Sequence, residues 1–337
     1  MNYRSVSDLS DLTTRYASKV PEDVALIVGI PRSGMLIASL LALKLNLPLT
    51  DLYSFLRNDE LYRGSTRNYK YQQLVKPWEA KKILLVDDSI ASGRSMQKAV
   101  EQASAIYLGT VLTLAAFVQS NNRHQVDLFL EVVDQPRLFE WNILHHHFIS
   151  CACLDIDGVL CVHPTPEEND DGPRYLHFLQ HARPLFIPTI EVAHLVTSRL
   201  EKYRGPTEEW LARHGVRYRK LHMLDLPSAE ERRRLNMHAP FKAQVYRSDP
   251  LAVLFVESKQ NQAVEIMRLA DKPVFCVETN QMYAPGMSLA TLRVTTLRKG
   301  LSLKAKLFDK ARKLLAKLSP TSPLRKIWAR PAGRKHR

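Results

Sequence analysis

Two apolar runs in this chain end on closely spaced aspartates, and each opens onto a short loop of small residues. KILLVDD (82–88) leads into SIASGRS, and CACLDID (151–157) leads into GVL. A strand that is apolar at every position is buried on both faces, which calls for a parallel sheet covered by helices on each side. The surrounding segments fit that reading. VALIVGI (24–30) is a strand candidate followed by PRSG and the helical MLIASLLALKLNL. KILLVDD is followed by its loop and the helix SMQKAVEQASA. TVLTLAAFV (110–118) and VDLFLEVV (126–133) read as further strands. The pattern restarts with SCACLDIDGVL (150–160) and AHLVTSR (193–199). TEEWLARHG, a helix with a glycine stop, and FKAQVYRS follow, and VLFVES (253–258) and PVFCVE (273–278) complete a second strand set. The expected fold class is α/β, with two doubly wound parallel-sheet domains at 1–149 and 150–295. A basic helical tail is expected over 296–337.

Charge is unevenly placed. The net charge of the 337 residues is +14, yet from Arg298 to Arg337 there are 14 Lys and Arg against one acid, Asp309. That stretch carries +13 and leaves the remainder near +1. The basicity therefore describes a tail rather than a charged groove, which weighs against a nucleic-acid enzyme. Within the tail, LSLKAKLFDKARKLLAKL (301–318) gathers leucines on one helical face and lysines around the other, a pattern suited to an anionic lipid surface. Four cysteines without a second pair at zinc spacing read as small buried residues in a reducing compartment. No apolar run approaches the ~18 residues of a membrane span. The N-terminus MNYRSVSDLSDL lacks the apolar core of a signal peptide. The expected location is cytoplasmic, with peripheral contact at the inner face of the membrane through the tail.

Ligands of parallel α/β sheets bind at the carboxyl ends of strands. Asp87 and Asp88 stand at such an end, and the loop after them can present N–H groups and hydroxyls to a phosphate at a helix N-terminus. Two carboxylates beside a phosphate loop suit a sugar phosphate. The run VDDSIASGRS (86–95) resembles the PRPP-binding motif of type I phosphoribosyltransferases along its whole length. The resemblance implies that Asp87 and Asp88 bind ribose hydroxyls, directly or through Mg²⁺. Ala91, Ser92, Gly93, Arg94 and Ser95 would cradle the 5-phosphate, and Arg32, Ser33 and Gly34 of GIPRSG (29–34) would line the pyrophosphate. LYRGSTRNYKY (61–71) is the mobile-loop candidate, with Arg63 and Arg67 facing the leaving group. The base-recognising hood of such enzymes has one candidate, PRLFEWNILHHH (136–147). Phe139 or Trp141 could stack on a base or serve core or interdomain packing, and the histidines read as surface or linker.

The second acidic end, CLDIDGVL (153–160), places two carboxylates two residues apart on one side of an extended chain. It resembles motif I of haloacid dehalogenase (HAD) phosphatases. By that resemblance Asp155 is the nucleophile that forms an aspartyl-phosphate, and Asp157 protonates the leaving oxygen and later activates water. Thr197 in LVTSR matches the motif that binds a phosphoryl oxygen. Lys242 in HAPFKAQVY matches the lysine that neutralises charge. Glu257 matches the first acid of the metal motif, so that Asp155, Asp157 and Glu257 would hold Mg²⁺. Ser258 stands where a second acid is expected. The spacing leaves room only for a minimal cap, a short flap at HPTPEENDDGPRY, and hence for a bulky substrate.

Joined in one chain, the two sites resemble bacterial dual-domain ribofuranosyltransferases of surface-polysaccharide synthesis, the enzymes of O-antigen and capsule assembly. That resemblance implies transfer of phosphoribosyl from PRPP to a lipid-linked glycan, then removal of the 5-phosphate. Two other readings stay open: a nucleobase phosphoribosyltransferase with a regulatory phosphatase, and a non-catalytic sensor of PRPP or a nucleotide.

Overall fold

Strand β1 (Asn2–Arg4) is followed by helix α1 (Val6–Tyr16). A capping box starts that helix: Asp8 N–H donates to Ser5 Oγ at 3.1 Å and Ser5 N–H to Asp8 Oδ2 at 2.8 Å. Then come β2 (Leu26–Gly29), α2 (Gly34–Leu45), β3 (Leu49–Asp51), α3 (Leu52–Arg57), β4 (Lys82–Ser89), α4 (Arg94–Ser104), β5 (Thr110–Val118), β6 (Leu128–Val132) and β7 (Arg137–Phe139). The second set comprises β8 (Ala152–Leu154), α5 (Pro173–His181), β9 (Val192–Leu200), α6 (Arg204–Arg213), β10 (Tyr218–Leu224), α7 (Ala229–Arg234), α8 (His238–Ser248), β11 (Leu254–Glu257), α9 (Gln260–Ala270) and β12 (Val274–Cys276). This computed structural model describes residues 1–62 and 74–287. Arg63, Arg67 and the basic tail over 296–337 lie outside the described residues.

The first sheet runs β3-β2-β4-β5-β6, all parallel. The second adds β13 (Gln281–Tyr283) and is six-stranded, β10-β9-β8-β11-β12-β13, and the pairs from β10 through β12 are parallel. The fold is therefore α/β with parallel sheets. Apolar side chains cover both faces of the first sheet. Leu9, Ile37, Leu41 and Phe117 belong to one cluster, and Phe55, Leu85, Met96 and Ala99 to the other. Each of the leucine, isoleucine, phenylalanine and methionine side chains contributes on the order of 1.5–3 kcal/mol when removed from water. Trp210 anchors the second core, donating its indole N–H to Ala182 O at 2.8 Å. The four cysteines are free; Cys153, Cys161 and Cys276 are buried and Cys151 partly so.

Residues Met1–Met282 form one compact unit that contains both sheets. The N-terminal strand contributes to this, because β1 pairs with β7 and Tyr3 donates to Asn280 O at 2.9 Å. Leu138, Ile143, Leu144 and Ile149, from the segment joining the two sheets, pack into the second core.

The strand expected over 150–160 is confined to Ala152–Leu154. Beyond it, Ile156 O accepts from Val159, Leu160 and Cys161 N–H, which closes a tight turn. Gly158 (φ +82°) makes the turn possible: a Cβ there would meet His163 Nε2 at 2.2 Å and Ser258 Cβ at 2.6 Å. Apolar character in 156–161 thus reflects burial of a turn and not an extended strand. The sequence reading also missed α7.

Candidate active sites

In each sheet the strand order reverses once, and a ligand crevice is expected at that switch point. For the first sheet this lies between β2 and β4. The loop 30–33 leaves β2 and the loop 90–93 leaves β4, so the two candidate segments face the same crevice. Gly34 permits their close approach, because a Cβ there would meet Val86 O at 2.8 Å and Asp87 Cα at 3.0 Å.

Asp87 and Asp88 lie just before the carboxyl end of β4 and are both buried. Asp87 Oδ1 accepts from Asp88 N–H at 2.8 Å. Burial, reinforced by the adjacent Asp88 charge, pushes the Asp87 carboxyl up to about 8. The pair is an environment waiting for hydroxyl donors or positive charge. Ala91, Ser92, Arg94 and Ser95 are exposed around the N-terminus of α4, with Gly93 as its N-cap. The loop is held from below. Asn122 Nδ2 donates to Ala91 O at 2.8 Å, and the buried Arg137 donates to Ile90 O at 2.7 Å. Arg32 is exposed, and the Pro31–Arg32 peptide is cis.

The segment 136–147 closes on this crevice. Trp141 Nε1 donates to Asp88 Oδ2 at 2.8 Å, and Arg32 Nη2 donates to Asn142 Oδ1 at 2.6 Å. Trp141 stacks on Phe139 (centroids 5.0 Å, planes 4° apart), which stacks on Phe117. The two aromatic residues therefore pack against the first core, and Trp141 also touches the carboxylate pair. His145 and His147 are exposed and His146 is half-buried. Beyond Trp141 lies a cavity of about 310 Å³, lined by Trp141, Leu144, Phe186, Phe275 and Asn280 among others.

In the second sheet the switch point lies beside β8. Asp155 follows β8, Thr197 is on β9 and Glu257 ends β11. Lys242 on α8 joins them: its Nζ donates to Asp155 Oδ2 at 2.8 Å, Glu257 Oε2 at 2.7 Å and Gln262 Oε1 at 3.0 Å. Burial alone would lower the Lys242 ammonium, but Asp155 and Glu257 outweigh it and raise it. Burial pushes Asp155 up to about 7 against the pull of Lys242, with Glu257 and Asp157 adding to the rise. Burial also pushes Asp157 up, yet the Arg199 charge and hydrogen bonds hold it below the usual carboxylate range. Arg199, with its side chain fully buried, donates Nη2 to Asp157 Oδ1 at 2.7 Å and Nε to Oδ2 at 3.2 Å. As placed, Asp157 is an ionised base.

Asp155, Asp157, Thr197, Lys242 and Ser258 line one cavity of about 140 Å³, room for on the order of ten waters. His163 and Asn169 of the expected flap line it too, as does Arg232 of α7. Nothing in the sequence reading pointed to Arg199 or Arg232.

Both sites offer carboxylates to a magnesium ion. Carboxylate oxygens suit a hard dication. However, among the described residues no group of three His, Cys, Asp or Glu is spaced to hold one ion. Glu257 Oε1 already accepts from Ser258 N–H, Ser258 Oγ–H and Lys259 N–H, and Oε2 from Lys242. The second site as placed does not fit a three-carboxylate metal centre. At the first site, the Asp87–Asp88 pair fits a cation that arrives with its own phosphate oxygens.

Residues 5–143 match the family model described as "Phosphoribosyl transferase domain". The segment contains both loops of the first crevice, and the chain thus carries a phosphoribosyltransferase-type domain there. The transcriptional regulator GfcR of Archaeoglobus fulgidus is 31% identical over 90 residues, 26% of this chain and 44% of its own length. The chain thus spans less than half of that curated relative. A purine phosphoribosyltransferase from Pyrococcus horikoshii is similar over 42% of this chain and 92% of its own (16% identity, TM-score 0.31). So is the xanthine-guanine-hypoxanthine phosphoribosyltransferase of Helicobacter pylori, with the same coverage (17% identity, TM-score 0.32). Among the described residues, no helix is long and apolar enough to cross a membrane.

Proposed function

We propose that this chain transfers a 5-phosphoribosyl group from PRPP to a hydroxyl of a glycan and then removes the 5-phosphate, leaving a β-ribofuranoside. The observation that carries the reading is the pairing, in one compact unit, of two acid-ended switch points. One belongs to a phosphoribosyltransferase-type domain, and in the other a buried lysine bridges Asp155 and Glu257 beside Thr197. A phosphatase beside a phosphoribosyltransferase would be futile if a nucleotide were the product. It is productive if the product is an unphosphorylated riboside.

In the first crevice Asp87 and Asp88 receive the ribose hydroxyls, which lowers the cost of their buried charge. Backbone N–H groups of residues 91–95 hold the 5-phosphate at the start of α4. Arg32 and Ser33 face the pyrophosphate, and Mg²⁺ bound to PRPP would neutralise the leaving group. The transition state is oxocarbenium-like, so the domain acts by position and charge and needs no nucleophile of its own. Displacement at α-PRPP inverts the anomeric centre. The acceptor enters past Trp141 from the 310 Å³ cavity. A membrane-borne acceptor is in keeping with the basic tail.

The second cavity is of HAD phosphatase type with a minimal cap. Asp155 Oδ attacks phosphorus, the bond to the ribose 5-oxygen breaks, and that oxygen takes a proton. Water then attacks the aspartyl-phosphate, with Asp157, ionised by Arg199, as its base. To supply the proton of the first step, Asp157 must leave Arg199 and first take up a proton from solvent; giving it to the ribose oxygen returns it to the carboxylate that serves as base in the second step.

The test is to incubate the full chain with PRPP, Mg²⁺ and acceptor glycans and to weigh the products. Wild type is expected to add an unphosphorylated pentose, and Asp155→Asn a phosphorylated one. Conversion of a nucleobase to a nucleotide with no glycan modified would overturn the reading.

A further inference from the structure

Two buried polar atoms among the described residues have no hydrogen-bond partner, Ser198 Oγ and Arg232 Nε, and both residues line the second cavity. Arg232 is 7% exposed and forms no ion pair among the described residues. A guanidinium stays charged under all ordinary conditions, and a buried charge without a counterion is costly. Arg199, the other buried arginine here, has spent its charge on Asp157. Arg232 has not.

Its position is fixed from two sides. Nη1 donates to Ser198 O at 2.6 Å, directly after Thr197 in β9. Helix α7 is capped by Ser228, whose Oγ accepts from Glu231 N–H at 3.2 Å. It is also tied to the flap, because Ala229 N–H donates to Asp171 Oδ2 at 3.0 Å. The guanidinium therefore cannot simply swing into solvent to satisfy itself.

We infer that Arg232, with Ser198, binds the phosphoryl oxygens of a phosphate monoester in this cavity. Arg232 Nε–H and the hydroxyls of Ser198 and Thr197 are donors on the side of β9 and α7, while the Lys242 ammonium, its three N–H groups engaged by Asp155, Glu257 and Gln262, adds positive charge from α8. Together they surround a group with three anionic oxygens, which makes the cavity selective for a dianionic phosphate over neutral sugars. The inference rests on the reading of Asp155 as the residue facing the phosphoryl group. It adds a binding residue from α7, which acts as a one-helix cover.

The experiment uses the full chain. Hydrolysis of 4-nitrophenyl phosphate is measured for wild type, Arg232→Ala, Arg232→Lys and Ser198→Ala. Binding of inorganic phosphate is measured by calorimetry for each in the Asp155→Asn background. Loss of a charged hydrogen bond predicts KM and phosphate Kd raised about tenfold or more in Arg232→Ala. The lysine variant should recover part of this, with kcat changed much less than KM. If Arg232→Ala does not fold, Ser198→Ala carries the test, with a Kd raised about threefold to tenfold. Unchanged KM and Kd in the folded variants would overturn the inference and leave the phosphatase reading standing. Phosphate binding that depends on Arg232, in a wild type that hydrolyses no ester, would keep the inference and sink that reading.

Discussion

Trp141 Nε1 donates to Asp88 Oδ2 at 2.8 Å, across 53 residues of sequence. It joins the segment that links the two sheets to the carboxylate pair at the first switch point. Trp141→Phe keeps most of the stack on Phe139 and deletes one hydrogen bond to a charged group, worth about 1.5–3 kcal/mol. PRPP binding is expected to weaken by about tenfold or more, read by calorimetry, while hydrolysis of phosphate esters at the second site is unchanged. Equal PRPP affinity in the variant would show that the contact does not position Asp88.

Substitution of Gly34 separates the two proposed activities. An added Cβ would lie against the backbone of Val86 and Asp87, so the start of α2 or the end of β4 must shift. Gly34→Ala should lower pentose transfer by about 10²-fold, the cost of a displacement near 1 Å in a positioned site. Phosphate-ester hydrolysis should persist. A variant that lost both activities together would mean that the sites are not independent.

Asp87 makes the ligand-free protein pH-sensitive. Its folded-state pKa, about 8, lies above its unfolded value, so the folded state holds a proton that the unfolded state releases. The resulting stability is full below the unfolded value near 3.8 and is lost as pH rises through about 8. Asp87→Asn removes this loss. Its unfolding free energy should match wild type near the acidic limit and exceed it by an amount that grows as pH rises toward about 8, on the order of several kcal/mol. A difference that does not grow with pH would contradict the buried-pair account.

Lys242 holds two buried carboxylates, and its removal leaves both unpaired. Lys242→Met is expected to cost about 3–5 kcal/mol in urea denaturation. Adding Glu257→Gln should restore part of that loss, since it removes one of the two stranded charges. An additive double variant would mean that Lys242 and Glu257 do not interact.

Arg199 keeps Asp157 ionised. In Arg199→Gln the Asp157 carboxyl loses the cation that offsets its burial, and its pKa rises. Hydrolysis should then lose activity on the acid side at a higher pH than in wild type, because the base is protonated sooner. An unshifted acid limb in a folded Arg199→Gln would assign that limb to another group.

What the sequence determined by itself is local. Apolar runs that end on acids, followed by small-residue loops, announce parallel strands, and this placed Asp87 and Asp88 near the carboxyl end of β4 and Asp155 just past that of β8. The pattern is legible because burial on both faces leaves no polar alternation, and Gly158 is required by its own left-handed backbone, whereas the demand for Gly34 comes from the distant Val86 and Asp87. The extent of the strand after Cys151 was misread, because a buried turn and a buried strand have the same composition. Tertiary structure alone decided the partners. Arg199 meets Asp157 across 42 residues, and Trp141 reaches Asp88 only after a chain segment has returned over the sheet. Arg232, Arg233 and Arg234 are consecutive, yet only the first is buried. A helix turns one of three adjacent side chains inward, and which one depends on the surface it docks against, a fact that no local pattern contains.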